Sequence, residues 1–333
     1  MTEETKDNQV ELLRINVEVG WKCAFNCEDC YRYFQCPSLV KYQIYEKGRF
    51  GRIQEKLKGI KHILAVMSGK GGVGKSTVSA NLAVAFAQKG FSTYLLDSDF
   101  FGPSIPKILG IKEERVKIGP KGIIPASGPL GIKVISTAFL MDKDEHITWF
   151  HKLKRGALEE FLVNVDFGEA LDCLILDLPP GTGSETLNML KLIPRLDGAV
   201  VVTVPSEVSQ GVAKRGISIL NSAKVPIIGV IENMSGFVCP KCHKVSQILQ
   251  QGGGERLAEE MAVPFLGRIP MDQKVSGASD SGSSFIVQYA DAPASKSFVD
   301  IMEKVESFLQ DSPPRIPEYI GALARLEKLK KEA

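Results

Sequence analysis

A glycine-rich stretch has the residue types and spacing of a phosphate-binding loop. Residues 68–77 read Ser-Gly-Lys-Gly-Gly-Val-Gly-Lys-Ser-Thr and fit the pattern G-x-x-x-x-G-K-[ST]. Glycines let backbone N–H groups turn toward phosphate oxygens, since side chains would block that approach. The pattern predicts that Lys75 reaches the β and γ phosphates of ATP and that the Ser76 hydroxyl ligates Mg²⁺. The residues predicted to contact nucleotide here are Gly69, Lys70, Gly71, Gly72, Val73, Gly74, Lys75, Ser76 and Thr77.

A strand before this loop and a helix after it would hold it at the end of a sheet. Residues 62–67 read as a buried strand, and Val78, Leu82 and Phe86 recur every four residues along a helix that ends before Gly90. Such a helix turns its positive N-terminal end toward the anion. This context favours phosphate binding over the alternative, a glycine-rich loop that merely turns the chain.

A second lysine, Lys70, lies inside the loop, where an ordinary phosphate loop does not need one. It is placed to reach a nucleotide bound by a second copy of the chain, which predicts a homodimer closed over ATP. A solvated loop lysine is the alternative. The loop resembles the deviant phosphate loop of the MinD/ParA/nitrogenase-iron-protein class of NTPases, in which the early lysine contacts the partner subunit's nucleotide.

Apolar runs alternate with helical stretches along most of the chain. The strand-like runs are 62–67, 93–97, 132–136, 171–177, 198–204 and 226–232. This alternation predicts an α/β fold with a doubly wound, mostly parallel sheet. Ligands of such sheets bind at the carboxyl ends of the strands, where Asp97, Asp177 and Asn233 fall.

The parts of the chain outside this sheet are short. We expect a cysteine-rich, metal-binding extension over 1–40, a charged connector over 41–61 and a P-loop ATPase domain over 62–310. Residues 311–333 predict an amphipathic helical tail, which suits packing on the parent domain or a partner, with binding to a membrane surface as the alternative.

Carboxylates at strand ends would complete the nucleotide site. Asp97 and Asp99 are two residues apart, on the same side of an extended backbone, so they are placed to share Mg²⁺ and a water. Asp177 ends an apolar strand, like the aspartate that holds Mg²⁺ in P-loop NTPases. A solvated strand-end aspartate is the alternative for each, and the phosphate loop favours the magnesium role at Asp177.

The overall composition and the pattern of apolar residues disfavour several classes of function. The 333 residues are 44% hydrophobic, and 41 basic and 39 acidic residues are interspersed with a net charge of +2, which disfavours nucleic-acid binding. The first twenty residues are too polar for a signal peptide, and no apolar run approaches the length that spans a bilayer. We expect a cytoplasmic protein, and a membrane partner is disfavoured.

Cys239 and Cys242 form a C-x-x-C pair late in the chain. Zinc sites and iron–sulfur clusters usually take four protein ligands, so one chain supplies half a site and a two-fold dimer supplies the rest. A [4Fe–4S] cluster bridging two protomers follows, with zinc as the alternative. Two other uses of a C-x-x-C pair are disfavoured. Attachment of c-type haem would require export of the protein, and a thioredoxin-like redox pair would lie at the start of a helix after the first strand of its fold.

Five motifs, in order within residues 63–308, are together similar to those of the Mrp/ApbC family of ATP-dependent iron–sulfur cluster carriers. The motifs are LLDSDFFGPSIPKILG, DLPPGTGSETL, ENMSGFVCPKC, GGGERLAEE and LGRIPMDQKVSGASDSG. The resemblance implies slow ATP hydrolysis, a cluster bridged across a homodimer, and its transfer to apo iron–sulfur proteins. It also implies that Asp99 positions water and Mg²⁺ with help from Asp97, and that Asn233 binds adenine.

Two other functional classes are alternatives. A MinD/ParA-like spatial-organiser ATPase would bind a surface in place of a metal, and the tail over 311–333 agrees with it. An electron donor like the nitrogenase iron protein would hold its bridging cluster with two widely separated cysteines, whereas this chain has a C-x-x-C.

The cysteines outside the C-x-x-C pair divide into a group and a single residue. The group is Cys23, Cys27, Cys30 and Cys36. Its last three members resemble the end of the ferredoxin-like N-terminal motif of some cluster carriers, and its first three resemble the radical-SAM motif, although too few residues follow for the barrel that radical-SAM chemistry needs. A second cluster, a zinc knuckle and free thiols are the readings left open. The single residue, Cys173, is expected to be a buried strand residue without chemistry.

Overall fold

The structure is a computed structural model with two compact units. The larger unit comprises Lys56–Arg315, and the other combines Met1–Glu55 with Ile316–Ala333. The described residues are 22, 23, 27, 30, 32–38, 41, 51–99, 102–112, 115–140, 151–193, 195–239, 241, 242, 245, 246, 251–312 and 328, of which 140, 151–154 and 245 are described in their backbone alone. The predicted tail beyond residue 312 lies outside the described residues, apart from Lys328.

Twelve strands are found among the described residues, and eight of them form one mixed sheet. The strands are β1 (Ile60–Ser68), β2 (Thr93–Asp97), β3 (Lys117–Gly119), β4 (Gly122–Ile124), β5 (Ala126–Ser127), β6 (Lys133–Ser136), β7 (Leu171–Asp177), β8 (Gly198–Thr203), β9 (Ile227–Glu232), β10 (Phe237–Val238), β11 (Val245–Ser246) and β12 (Phe265–Arg268). The order across the sheet is β12-β9-β8-β1-β7-β2-β6-β5, and all neighbours are parallel except β5 and β6. The chain winds outward from the centre in both directions, so the predicted doubly wound α/β fold is confirmed.

Helices connect successive parallel strands, as crossover connections require, and further helices precede β1 and follow β12. The helices are α1 (Gly51–Leu57), α2 (Lys75–Gln88), α3 (Ile105–Ile108), α4 (His151–Asn164), α5 (Ser184–Leu192), α6 (Glu207–Ser222), α7 (Gly253–Glu260), α8 (Gln273–Ser281), α9 (Phe285–Gln288) and α10 (Pro293–Asp311). Short 3₁₀ turns cover Tyr33–Gln35, Pro129–Gly131 and Thr137–Leu140.

The predicted strands agree closely with the observed ones. The predictions at 93–97 and 171–177 coincide with β2 and β7, and the other four differ from their strands by one or two residues at an end. The sequence did not predict β5 and β12 at the sheet edges, nor the hairpins β3–β4 and β10–β11. These strands have two to four residues each, too few for an alternating pattern to stand out.

The helix after the glycine-rich loop is almost completely enclosed. Val78, Leu82 and Phe86 are at most 2% exposed, as their spacing predicts, and the helix α2 packs against β1, β2, β7 and α10. Cys173 in β7 belongs to the same core, where burial raises the pKa of its thiol well above the usual value. It is the buried strand residue that the sequence predicts.

Candidate functional site

Polar side chains meet where the central parallel strands end. Asp97 pairs in register with Asp177 across β2 and β7, and with Ser136 across β2 and β6. Ser68 ends β1 and leads directly into the glycine-rich loop. Since the carboxyl ends of parallel strands share one edge of the sheet, the loop and these strand-end residues form one site.

The glycine-rich loop lies tightly against its surroundings. A side chain at Gly69 would place its Cβ 2.5 Å from the carbonyl carbon of Val212 in α6, which only glycine avoids. Gly74, the N-cap residue of α2, has a φ of 80°, in the left-handed region that favours glycine. The Ser68 hydroxyl donates to the Lys70 carbonyl oxygen at 3.0 Å. These constraints shape the loop around its N–H groups before any anion arrives.

Asp177 is fully buried, and its carboxylate contacts three side chains of α2. Its Oδ2 accepts from the Ser76 hydroxyl at 2.6 Å and lies 2.7 Å from the Lys75 ammonium. Its Oδ1 accepts from the Ser79 hydroxyl at 2.6 Å. The Ser76 and Asp177 oxygens are the hard donors that Mg²⁺ prefers, and they lie side by side at the start of α2. Ser76 and Asp177 therefore fit the Mg²⁺ ion that the sequence predicts at this position.

Asp97 and Asp99 lie in different environments, although the two-residue spacing suggested a shared role. Asp97 is fully buried, and its carboxylate accepts from Asp99 N (3.3 Å), Ile105 N (3.2 Å) and the Ser136 hydroxyl (3.2 Å). Burial and the nearby Asp177 raise the pKa of Asp97 to about 7. Asp99 is partly exposed and accepts from Gly102 N at 3.3 Å. Asp97 thus fastens both ends of the segment that carries Asp99.

Asn233 follows β9 and touches the glycine-rich loop directly. Its Nδ2 donates to the Val73 carbonyl oxygen at 2.8 Å, and its backbone N–H donates to Thr203 O at 2.8 Å. The side chain is 7% exposed. Asn233 therefore braces the loop from the side, and its predicted contact with adenine stays a prediction.

Cys239 and Cys242 lie in the connection between the two strands of the β10–β11 hairpin. Cys239 is partly exposed and Cys242 is exposed. Backbone N–H groups of Cys242 and Lys241 donate to the Cys239 sulfur and hold the pKa of this thiol below its usual value. A lowered pKa favours the thiolate, which is the form that binds metals.

The N-terminal cysteines share one neighbourhood. Burial raises the pKa of the Cys36 thiol, and the nearby Cys23 and Cys30 act in the same direction, against a hydrogen bond from the Ser38 backbone and the charge of Lys41. The Cys30 N–H donates to the Cys27 carbonyl oxygen at 3.4 Å. Among the residues that the structure describes, no three His, Cys, Asp or Glu side chains are grouped to hold a metal ion. The predicted N-terminal metal site stays a prediction.

A comparison with known families decides the class of protein. The family model described as the NUBPL iron-transfer P-loop NTPase, a ParA-type model, matches residues 59–306. The chain belongs to this family. The carrier family predicted from the five motifs, and the class of P-loop NTPases, are thereby confirmed.

Several relatives of this NUBPL-family chain are similar over most of their length. An iron–sulfur cluster carrier protein of Saccharolobus solfataricus is 45% identical over 262 residues, 78% of this chain and 88% of the relative. One of Methanocaldococcus jannaschii is 43% identical over 285 residues, 85% of this chain and 96% of the relative.

Two solved structures have a similar fold. A nucleotide-binding protein of Archaeoglobus fulgidus in complex with ADP is 38% identical, with a TM-score of 0.63 over 71% of this chain and 92% of that one. The cell division ATPase MinD of Pyrococcus furiosus is 22% identical, with a TM-score of 0.55 over 74% and 98%, and shows the fold alone. No helix within the described ranges is long and apolar enough to cross a membrane.

Three polar residues of this NUBPL-family site were missed by sequence reasoning. Ser79 follows Lys75 by one helical turn and Ser136 ends the predicted strand 132–136, so the spacing and the strand-end rule were available signals for both. Glu232 is the last residue of β9, next to Asn233, and is fully buried. A carboxylate in an apolar strand is unusual, and this was the available signal. Each contacts a residue or segment of the site that the sequence did identify.

Proposed function

We propose that this chain is an ATP-dependent carrier that holds a [4Fe–4S] cluster between two protomers and transfers it to apo iron–sulfur proteins. The observation that carries the proposal is the cysteine hairpin, which begins four residues after Asn233, a residue bonded to the glycine-rich loop. Nucleotide and cluster would thus be held by adjoining segments of one domain. The names of the relatives from S. solfataricus and M. jannaschii support the same function.

ATP would bind over the loop between β1 and α2. The ADP in the A. fulgidus structure supports nucleotide binding here. Lys75 would contact the β and γ phosphates, and Ser76 and Asp177 would hold Mg²⁺, which neutralises phosphate charge when bound. Lys70 is partly exposed on the loop, from which it would reach the nucleotide of the partner subunit in a homodimer.

Slow hydrolysis would depend on the segment after β2. Asp99 would orient the attacking water, and Asp97 would hold that segment through the N–H groups of Asp99 and Ile105. Because Asp97 accepts these bonds while fully buried, its role is positioning. Closure over ATP and loosening after hydrolysis would change how tightly the two protomers hold the cluster.

The cluster is the cargo. Cys239 and Cys242 of each protomer would supply four thiolates in a two-fold dimer, which completes the usual set. The exposure of Cys242 leaves the cluster open to an accepting protein. Because each chain supplies half of the ligands, separation of the protomers would release the cluster. We expect this exchange to occur in the cytoplasm, with protein partners and without nucleic acid or membrane.

Anaerobic reconstitution tests the proposal. Serine at Cys23, Cys27, Cys30 and Cys36 gives a background in which the hairpin alone can bind iron. In that background the Cys239→Ser/Cys242→Ser variant should lose bound iron and the ability to activate an apo [4Fe–4S] enzyme, while its ATP hydrolysis continues. Cys173→Ala is the matched control and should keep both. Unchanged iron content and transfer in the double variant would sink the proposal.

A further inference from the structure

A buried carboxylate joins the nucleotide loop to the cysteine hairpin. Glu232 is the last residue of β9, is fully buried, and precedes Asn233, which is bonded to the loop at Val73. The chain then passes through Ser235 into the hairpin segment, residues 236–251, which contains both cysteines of the C-x-x-C pair. Residues 233–235 are therefore the covalent connection between the loop contact at Asn233 and the hairpin.

The Glu232 carboxylate ties the two ends of the hairpin segment together. Its Oε1 accepts from the Ser235 hydroxyl at 2.5 Å, just before the segment, and from Gly252 N at 3.0 Å, just after it. Its Oε2 accepts from Gly254 N at 2.5 Å in the first turn of α7. The Nε of Arg268 lies 3.6 Å from Oε1 and balances the buried charge. One side chain thus clamps both ends of the hairpin.

The surrounding backbone is shaped for this clamp. A Cβ at Gly254 would lie 2.8 Å from the Glu232 Cβ, so only glycine permits the observed approach. Met234 has a φ of 55° and Gly236 a φ of 73°, and these two left-handed residues turn the chain between β9 and β10. The Ser235 N–H donates to Ile269 O at 2.9 Å, which fixes the turn to the end of β12.

We propose that Glu232 is the positioning residue through which nucleotide at the glycine-rich loop changes the exposure of Cys239 and Cys242. The proposal rests on the proposed function for its biological sense, and its physical content concerns the metal-free chain. Nucleotide bound at the loop acts on Asn233 through its bond to the Val73 carbonyl oxygen, and Glu232 transmits this constraint to both ends of the hairpin. The thiols should then be less accessible when nucleotide is bound.

Alkylation of the metal-free, reduced protein by iodoacetamide measures this coupling. Rates at Cys239 and Cys242 are read by peptide mass spectrometry with and without a non-hydrolysable ATP analogue. The protein concentration is kept where sedimentation shows a monomer in both cases, so that burial by a partner contributes nothing. In the wild type the analogue should slow alkylation about fivefold, the lower end of usual coupling between sites.

Glu232→Gln is the decisive variant. An amide cannot accept from both Gly252 and Gly254 as the carboxylate does, because its NH₂ group is a donor. The ratio of the two rates should fall close to one at an analogue concentration that saturates the variant. A merely structural role would raise both rates and leave their ratio unchanged. Glu255→Gln is the matched control, because Glu255 contacts Arg268 and none of the three clamped groups.

Ser235→Ala covers the case in which Glu232→Gln does not fold, since it removes one donor and no buried charge. It should lower the ratio part of the way. A wild-type ratio of one, or the full wild-type ratio in a folded Glu232→Gln protein or in Ser235→Ala, would overturn the inference. Because no cluster is present, failure of the carrier experiment would leave this result standing, and the reverse also holds.

Discussion

The nucleotide site and the cysteine hairpin differ in how deeply their functional side chains are buried. At the glycine-rich loop, Lys75 and Asp177 are 6% and 0% exposed, and hydroxyls from α2 surround the carboxylate. At the hairpin, strands of two residues carry one partly exposed and one exposed thiol. A single chain thus encloses the carboxylate of the nucleotide side, whereas its cysteine pair stays open to solvent. This difference suits a protein whose cargo must be released while its nucleotide site persists.

Substitution of Lys75 should have the largest effect on ATP hydrolysis and on stability. Lys75→Ala should lower ATP hydrolysis about a hundredfold or more, because a phosphate contact is lost. It should also lower the free energy of unfolding by about 3–5 kcal/mol, since Asp177 stays buried without its counter-charge. Phosphate release and urea unfolding measure the two losses. Lys89→Ala, which breaks a surface pair with Glu306, should leave hydrolysis unchanged and provides the control.

The pH dependence of stability should reveal the raised pKa of the buried carboxylate Asp97. The pKa of Asp97 is about 7 in the folded protein and near 3.8 in the unfolded chain, so between these values the folded state holds a proton that the unfolded state has released. This group therefore makes the free energy of unfolding fall as pH rises from about 4 to 7. Asp97→Asn should flatten that fall.

Urea unfolding without nucleotide or Mg²⁺, at several pH values, measures the Asp97 effect. Carboxylates remote from Asp97 contribute equally to both proteins, so the difference between the two slopes reports Asp97 together with its interaction with Asp177. Identical slopes for wild type and Asp97→Asn would show that Asp97 is ionised in the folded protein throughout the range.

A buried cysteine should behave unlike the hairpin cysteines. Cys173→Ala should cost about 1 kcal/mol of unfolding free energy, the scale of a small deletion in a core. Bound iron after reconstitution should stay as in the wild type, because the thiol is enclosed within β7. Iron analysis and urea unfolding check the two halves. A loss of iron would place Cys173 in the metal pathway, against its burial.

The smallest effect on stability should come from the hairpin itself. Cys239→Ser/Cys242→Ser should change the unfolding free energy of the metal-free protein by less than about 0.5 kcal/mol, as surface substitutions usually do. Thermal unfolding under reducing conditions measures it. A large loss would mean that the thiols support the fold, which would remove the contrast between the two sites.

Sequence reasoning reached the parts of the molecule where a local pattern carries the chemistry. The loop motif placed Lys75 at the start of a helix, and the apolar runs placed Asp177 and Asn233 at the ends of strands, as the structure has them. The hydrogen-bond partners of individual side chains in distant segments were not predicted, because no local pattern specifies them. Glu232 bonds to residues twenty and twenty-two positions later, and Ser136 to one thirty-nine positions earlier. The short edge strands and hairpins were missed because packing, more than periodicity, defines them.

Native mass spectrometry of the anaerobically reconstituted chain tests the shared dimer most directly. With serine at the four N-terminal cysteines, the account predicts a dimer that carries one [4Fe–4S] cluster, and no cluster once Cys239 and Cys242 are also serine. A cluster carried by a monomer, or retained by the dimer without those two cysteines, would contradict it.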